Sequence, residues 1–307
     1  MAFPSPVRSA RSMAWRRRRT AFADAWSVFR HNKQALAGAI ILLVAVVIAL
    51  LSPLLVPPDA IDPASATGPT FAPPSLAYPL GTDNFGRSVL ALVVVGTRVS
   101  LLVGIAATVG AILFGATIGI VAGYYGGGPI DRFLSTLIDW FLVIPWLVLA
   151  IVLAAILGPT LLNVIVVIAV TSWAMAARIV RSQALSVREQ PYVERARALG
   201  ASDAAIMVHH ILPNVFPVIF AQAVLTVAIA ILSETTLSIL GLGDPSSISW
   251  GHIIEDAFNG GAMVNGYWWW LLPPGICIVL VTLAFTMCGY AFEEILDPRL
   301  RGLEKTG

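Results

Sequence analysis

Apolar residues gather along this chain in six long blocks, near residues 36–56, 99–121, 133–157, 161–180, 215–233 and 271–292. Each is long enough to cross a hydrocarbon core as a helix, which takes about 20 residues. Lipid offers a backbone no hydrogen-bond partners, so such blocks must satisfy themselves internally. The pattern predicts an all-α, polytopic membrane protein with six transmembrane helices. Between the first two blocks stand Pro53, Pro57, Pro58, Pro63, Pro69, Pro73, Pro74 and Pro79, whose fixed φ and missing N–H predict an extended external loop. Pro145 interrupts the third block and predicts a kink there. Gly115, Gly119 and Gly123 recur every four residues in the second block, so one helical face is small enough for another backbone to approach. That face is either a seam beside a passage or ordinary bundle packing. The break at 124–129 is too short for a phosphate-binding loop and predicts an inner turn.

Composition agrees with a lipid surround. The chain is 58% hydrophobic and only 12% charged, with mean hydropathy +0.84, whereas a soluble domain carries roughly a quarter of its residues charged. The net charge of +2 is small, and its placement says more. Arg8, Arg11, Arg16 to Arg19, Arg30 and Lys33 precede the first block, which places the N-terminus in the cytoplasm. Arg18, Arg19 and Phe22 have the look of a twin-arginine export signal, but the apolar run behind them, about 21 residues, exceeds a signal core and ends without a cleavage site. An uncleaved first span is expected. Six spans return the C-terminus, with Arg299, Arg301 and Lys305, to the same side as Arg132, Arg178, Arg181, Arg188, Arg195 and Arg197. Only Arg87 and Arg98 fall outside. The expected divisions are a cytoplasmic tail at 1–34, a first helix plus Pro-rich extracytoplasmic loop at 35–95, a five-helix core at 96–295 containing a cytoplasmic loop at 182–213, and a cytoplasmic tail at 296–307.

Candidate chemistry is sparse. Cys277 and Cys288 lie in one apolar block, about 16 Å apart along a helix, too far to pair. His31, His209, His210 and His252 form no ligand spacing with them, so no metal is expected. Lys33 and Lys305 are the only lysines and neither follows a GxxxxGK[ST] loop, so neither a nucleotide nor any other cofactor is expected in this chain. Nothing implies a catalytic residue or a nucleic-acid partner. Asp139 lies about two turns into the third block, where an unpaired carboxylate at mid-bilayer would cost ~3 kcal/mol or more. It is expected either to line a passage or to be an anchor bonded to a neighbouring helix or to Arg132. Glu234 is open to the same two readings, lining a passage or structural; it follows Asn214 by about 20 residues and so sits near the outer boundary, where an interfacial, hydrated carboxylate is the simplest expectation.

The most informative stretch is 192–214, YVERARALGASDAAIMVHHILPN. Pro191 suits a first helical turn, Ala196 and Ala198 propagate it, and Gly200 is a left-handed stop. Ser202 caps a second helix that runs into Pro213 at the foot of the fifth block. A helix of about nine residues is marginal alone in water, so the bundle, the lipid surface or another protein must hold it. The spacing Glu194, Ala196, Gly200, then Ile211, Leu212, Pro213 resembles the EAA motif of ABC-importer permease subunits, with Arg195 where that family often has alanine. Further similarity to the dipeptide, oligopeptide and nickel permease group lies in LGTDNFGRSVL at 80–90, in ETTLSILGLG at 234–243 followed by Ser249, Trp250 and Gly251, and in 269–275 and 296–299. The group's glycine-acid pattern in the last helix is altered to Gly289, Tyr290, Ala291.

The resemblance covers about residues 25–300 and implies a type I ABC importer permease (MetI-like) fold in a bacterial plasma membrane. It implies that Tyr192, Glu194, Ala196, Gly200, Ala201, Asp203, Leu212 and Pro213 belong to an ATPase-coupling loop. The implied partners are a second homologous permease, two ABC ATPase subunits or one fused pair that bind ATP and Mg, and an extracytoplasmic solute-binding protein. Peptide is the implied cargo, with nickel or another small solute as the alternative. A secondary transporter would instead need paired intramembrane carboxylates or inverted repeats. An intramembrane hydrolase would need a nucleophile with a matched partner, and Ser238 and His252 are not on evident facing spans.

Overall fold

The computed structural model describes residues 32–296; the outer parts of both expected tails, 1–31 and 297–307, lie outside the described residues. Every regular element in it is helical, and the one extended pairing is an isolated bridge between Thr82 and Ser88. In chain order the helices are α1 (Lys33–Leu55), α2 (Val89–Tyr124), α3 (Pro129–Val143), α4 (Trp146–Leu157), α5 (Leu161–Arg188), α6 (Pro191–Ala198), α7 (Asp203–Ile206), α8 (Leu212–Ile239), α9 (Trp250–Asn259), α10 (Ala262–Asn265) and α11 (Trp268–Leu296). Local chemistry sets several starts. Asn32 accepts the N–H groups of Gln34 and Ala35 at the head of α1, and Thr160 accepts that of Asn163 at the head of α5.

Among the described residues, α1, α2, α5, the run Asp203–Ile239 and α11 are long and apolar enough to cross a membrane. The third expected span is a broken one: α3 and α4 meet that test only together and are bent by 89°. Pro145 is the cause, since its ring fixes φ at −56° and drives Ile144 before it into an extended conformation. Between Leu212 and the end of α7 the chain makes a π turn, Met207–Ile211, which nothing in the local sequence announces.

The axis of the molecule is the parallel pair α2 and α5. The glycine repeat is what lets them touch: a Cβ added at Gly115 would lie 2.6 Å from the Trp173 carbonyl oxygen, one at Gly119 2.6 Å from that of Ala177, and one at Gly123 2.8 Å from that of Arg181. Helix α8 packs on α2 and α5, α11 packs on α8, and α1 lies outside against α11 and α2. The α3–α4 arm rests chiefly on α5.

The Pro-rich loop departs from the expected extended form. Pro53 lies inside α1, and residues Pro58–Ala60 make a short 3-10 turn. Beyond them the chain folds back on itself, with Phe71 N–H donating to the Asp83 carbonyl and Thr82 N–H to that of Ala72. Phe71 stacks on Tyr267 at 4.7 Å, so this loop is packed against the α10–α11 junction. The stretch after α8 is also folded: α9 turns back over α2, where Trp250 is fully buried, donating its indole N–H to the Val93 carbonyl and its backbone N–H to Ser100 Oγ.

Candidate functional site

The segment from α5 to α8 contains the expected pair of short helices, each closed by its own chemistry. Pro191 opens α6. At its end Gly200 N–H donates to Arg197 O and Ala201 N–H to Ala196 O, the two bonds of a Schellman motif, with Gly200 at φ +83°. Ser202 Oγ then accepts Ala205 N–H at the head of α7. The loop has two faces. Val193, Ile206 and Ile211 are fully buried in a cluster with Ile120, Tyr124, Val187 and Val215, against which Ala196, Ala201 and Leu212 also pack. Tyr192, Glu194, Arg195, Gly200 and Pro213 are exposed, and Leu199 stands 88% exposed. Helix α6 therefore rests on the bundle through Val193 and Ala196 and leaves an apolar side chain, Leu199, exposed at its end.

The structure ties this loop to the ends of its neighbours through pairings that the sequence did not announce. Both oxygens of Asp203 are taken by tyrosines from the end of α2, Tyr124 OH at 2.6 Å and Tyr125 OH at 3.0 Å. Donation to that carboxylate, with some burial, holds the Tyr125 phenol above its ordinary pKa. The guanidinium of Arg197 lies over the Tyr124 ring, and Arg188 donates to Gly126 O in the 124–129 turn. Arg181 makes two bonds to Asp131 at the start of α3. The available signal was the tyrosine pair beside a glycine-rich turn, but its partner is 79 residues away.

Asp139 has a partner on a neighbouring helix, Arg178 on α5 at 2.6 Å, rather than Arg132. Glu234 corrects the expectation of an interfacial, hydrated group. It is 3% exposed, its Oε1 accepts the hydroxyls of Ser238 and Ser249, and its Oε2 has no partner among the described residues. The reason is α9, which folds back over the end of α8 so closely that a Cβ at Gly251 would lie 2.8 Å from Thr235 Cα. Asp139 and Glu234 are thus on different helices in different surroundings, and neither joins the loop. Among the described residues no three His, Cys, Asp or Glu side chains gather closely enough to hold a metal ion.

The described residues thus form a bundle of five long apolar helices and one broken pair, with a short helix exposed between α5 and α8. The fold is shared with a solved structure of the MetNI methionine ABC transporter in an inward-facing conformation, at TM-score 0.53 and 20% identity, over 67% of this chain and 94% of that one. Residues 115–302 match the family described as binding-protein-dependent transport system inner membrane component, and residues 20–74 match the N-terminal TM domain of oligopeptide transport permease C. The chain is 37% identical to the dipeptide transport system permease protein DppC of Alkalihalophilus pseudofirmus, over 91% of its own length and 90% of the relative's. It is 34% identical to the oligopeptide transport system permease protein OppC of Bacillus subtilis, over 91% and 90% of the two chains. The chain belongs to the binding-protein-dependent inner-membrane permease family, in its dipeptide and oligopeptide group.

Proposed function

We propose that this chain is the membrane-spanning subunit of an ATP-driven importer of di- or oligopeptides, forming half of the translocation pore and receiving its drive through α6. The relatives named as dipeptide and oligopeptide permeases support the cargo. The observation that carries the coupling role is the geometry of α6: a Schellman-terminated helix with one fully buried side chain and an open outer face. In this reading the α6 end of the bundle, with its arginines, faces the cytoplasm, as do the tails at 1–34 and 296–307. The loop at 35–95 and helix α9 face outward, and 96–295 is the pore-forming core.

Two ATPase subunits, or one fused pair, hold ATP and Mg outside this chain. Their closure moves α6, and because Asp203 is bonded to both tyrosines and Arg188 to the 124–129 turn, the push reaches α2 and α5 together. The tilt of these helices opens the passage outward to a docked solute-binding protein, and the peptide enters between this chain and a second, homologous permease.

Purification in mild detergent tests the assembly: a second permease and ATPase subunits are expected to co-purify, and a chain that remains alone would sink this reading. Gly200→Val tests the lever. Nothing lies within 4 Å of a Cβ at Gly200, so the whole effect comes from φ, where a left-handed residue with a side chain costs about 1–2 kcal/mol. Substrate-stimulated ATP hydrolysis is expected to fall while membrane insertion is unchanged; full stimulation in the variant would refute the role given to α6. Leu199→Cys, at the most exposed apolar position of the loop, is expected to cross-link to an ATPase subunit in the assembled complex.

A further inference from the structure

Two ion pairs join α3 to α5, and they are built differently. Asp131, 4% exposed, takes two bonds from the Arg181 guanidinium at 2.6 and 2.8 Å and fills its other positions with Gly127 N–H and the Ser135 hydroxyl. Asp139 and Arg178 meet through one contact, Nη2 to Oδ1 at 2.6 Å, with side chains 59% and 55% exposed. The second pair therefore leaves guanidinium N–H groups and one carboxylate oxygen open. On the same two helices, one turn along, Val143 and Met175 are exposed apolar side chains. Charges on a lipid-facing surface are costly, so this face meets water or another protein chain.

One helical turn beyond the pair, Leu142 and Met175 enter the wall of a cavity of about 370 Å³ between α3, α4, α5 and α8. Its polar wall is Thr171, Ser172, Gln222, Thr226, Ser233 and Thr236, and none of its lining residues is charged. From Gln222 to Thr236 it follows α8 for about 21 Å. The hydroxyls of Thr171, Thr226, Ser233 and Thr236 each donate to the carbonyl four residues back. Their protons are spent within the helices; Thr226, which also accepts Gln222 Nε2 at 3.4 Å, and Ser233 are buried, and the oxygens of the half-buried Thr171 and Thr236 keep lone pairs for an outside donor.

We propose that this cavity and the Asp139–Arg178 pair at its end form a transit site for a zwitterionic peptide. The hydroxyl oxygens of Thr171 and Thr236 accept backbone N–H groups of the cargo, and the open edge of Arg178 takes its C-terminal carboxylate. Such a wall recognises what all peptides share, the backbone and the terminus, and without buried charge it releases them readily. The proposal rests on the peptide-import reading above.

The test uses the purified transporter in nanodiscs, with Cys277→Ala and Cys288→Ala as background and either Ser172→Cys or Thr236→Cys added. A charged, membrane-impermeant thiol reagent is expected to label both positions, and millimolar L-alanyl-L-alanine to slow the labelling. Arg178→Gln is expected to weaken that protection about tenfold, the worth of one charge-assisted hydrogen bond. Arg178→Lys, which keeps an ion pair with Asp139, is expected to fall between. The C-terminal amide of the same dipeptide should protect weakly whichever residue stands at 178. Labelling by a lipid-soluble maleimide alone overturns the proposal, as does protection that is equal for acid and amide and survives Arg178→Gln. ATP-driven peptide uptake by the unsubstituted transporter is measured alongside: its absence counts against the import reading, whereas uptake without labelling or protection counts against the site alone.

Discussion

Arg87→Leu is expected to cost about 3–5 kcal/mol of folded stability, because it breaks a buried ion pair from one side. Asp83 is 0% exposed and Arg87 7%, and they meet at 2.6 Å. Without the guanidinium, Asp83 keeps only the backbone N–H groups of Phe85 and residue 87, at 2.9 and 2.8 Å, to support a buried charge. Arg87 also reaches Asp256 on α9 at 3.4 Å, so its loss loosens the loop and α9 together. Thermal unfolding in detergent measures this, and Asp83→Asn combined with Arg87→Leu should recover part of the loss by removing the stranded charge. A variant as stable as the parent would show that the pair contributes nothing.

A comparable loss is expected from Gly119→Val. Its Cβ would stand 2.6 Å from the Ala177 carbonyl oxygen and 2.8 Å from Val180 Cβ, and the nearest of these is backbone, which cannot swing aside. Overpacking of this kind costs about 1–3 kcal/mol and sometimes more, and here it separates the two helices on which the bundle is built. The amount of intact protein recovered from membranes should drop several-fold. Gly275→Ala in α11 is the control: nothing lies within 4 Å of the added Cβ, and alanine favours helix over glycine by about 1 kcal/mol. If both substitutions behaved alike, helix propensity rather than close approach would govern the seam.

What could be read from the sequence was local or periodic. Pro191, Gly200 and Ser202 act on their own backbone within a turn or two, and each stands in the structure where its chemistry places it. The four-residue glycine spacing is a periodic signal and was legible for the same reason. What escaped depends on partners distant in the chain. Glu234 looked interfacial by residue count, yet its environment is decided by Ser249 and α9. Arg87, read as a charge on the outer side, is a buried ion-pair partner. Asp203 could be placed at the head of a helix, but its two tyrosines come from the end of α2, 79 and 78 residues away in the chain. Pro145 announced a bend, but the sequence carried no measure of its 89°.

The π turn at Met207–Ile211 sets the angular phase of the whole loop. Ile206 and Ile211, five residues apart, are both fully buried, and Val215 and Ile219 continue the same buried line at intervals of four. On an unbroken α-helix a step of five residues turns the side chain about 140° away from its starting direction. The wider turn absorbs that excess, like a vernier set one division over, and brings Ile206 back into line with the rest. Wound as regular α-helix, the same five residues would swing α7, with Asp203, by about 140° relative to α8, whereas deleting one of them would leave the alignment within about 40° of the present one. The outward direction of α6 is thus held by the way one surplus residue is wound into the turn, a matter of counting rather than of any side chain's chemistry.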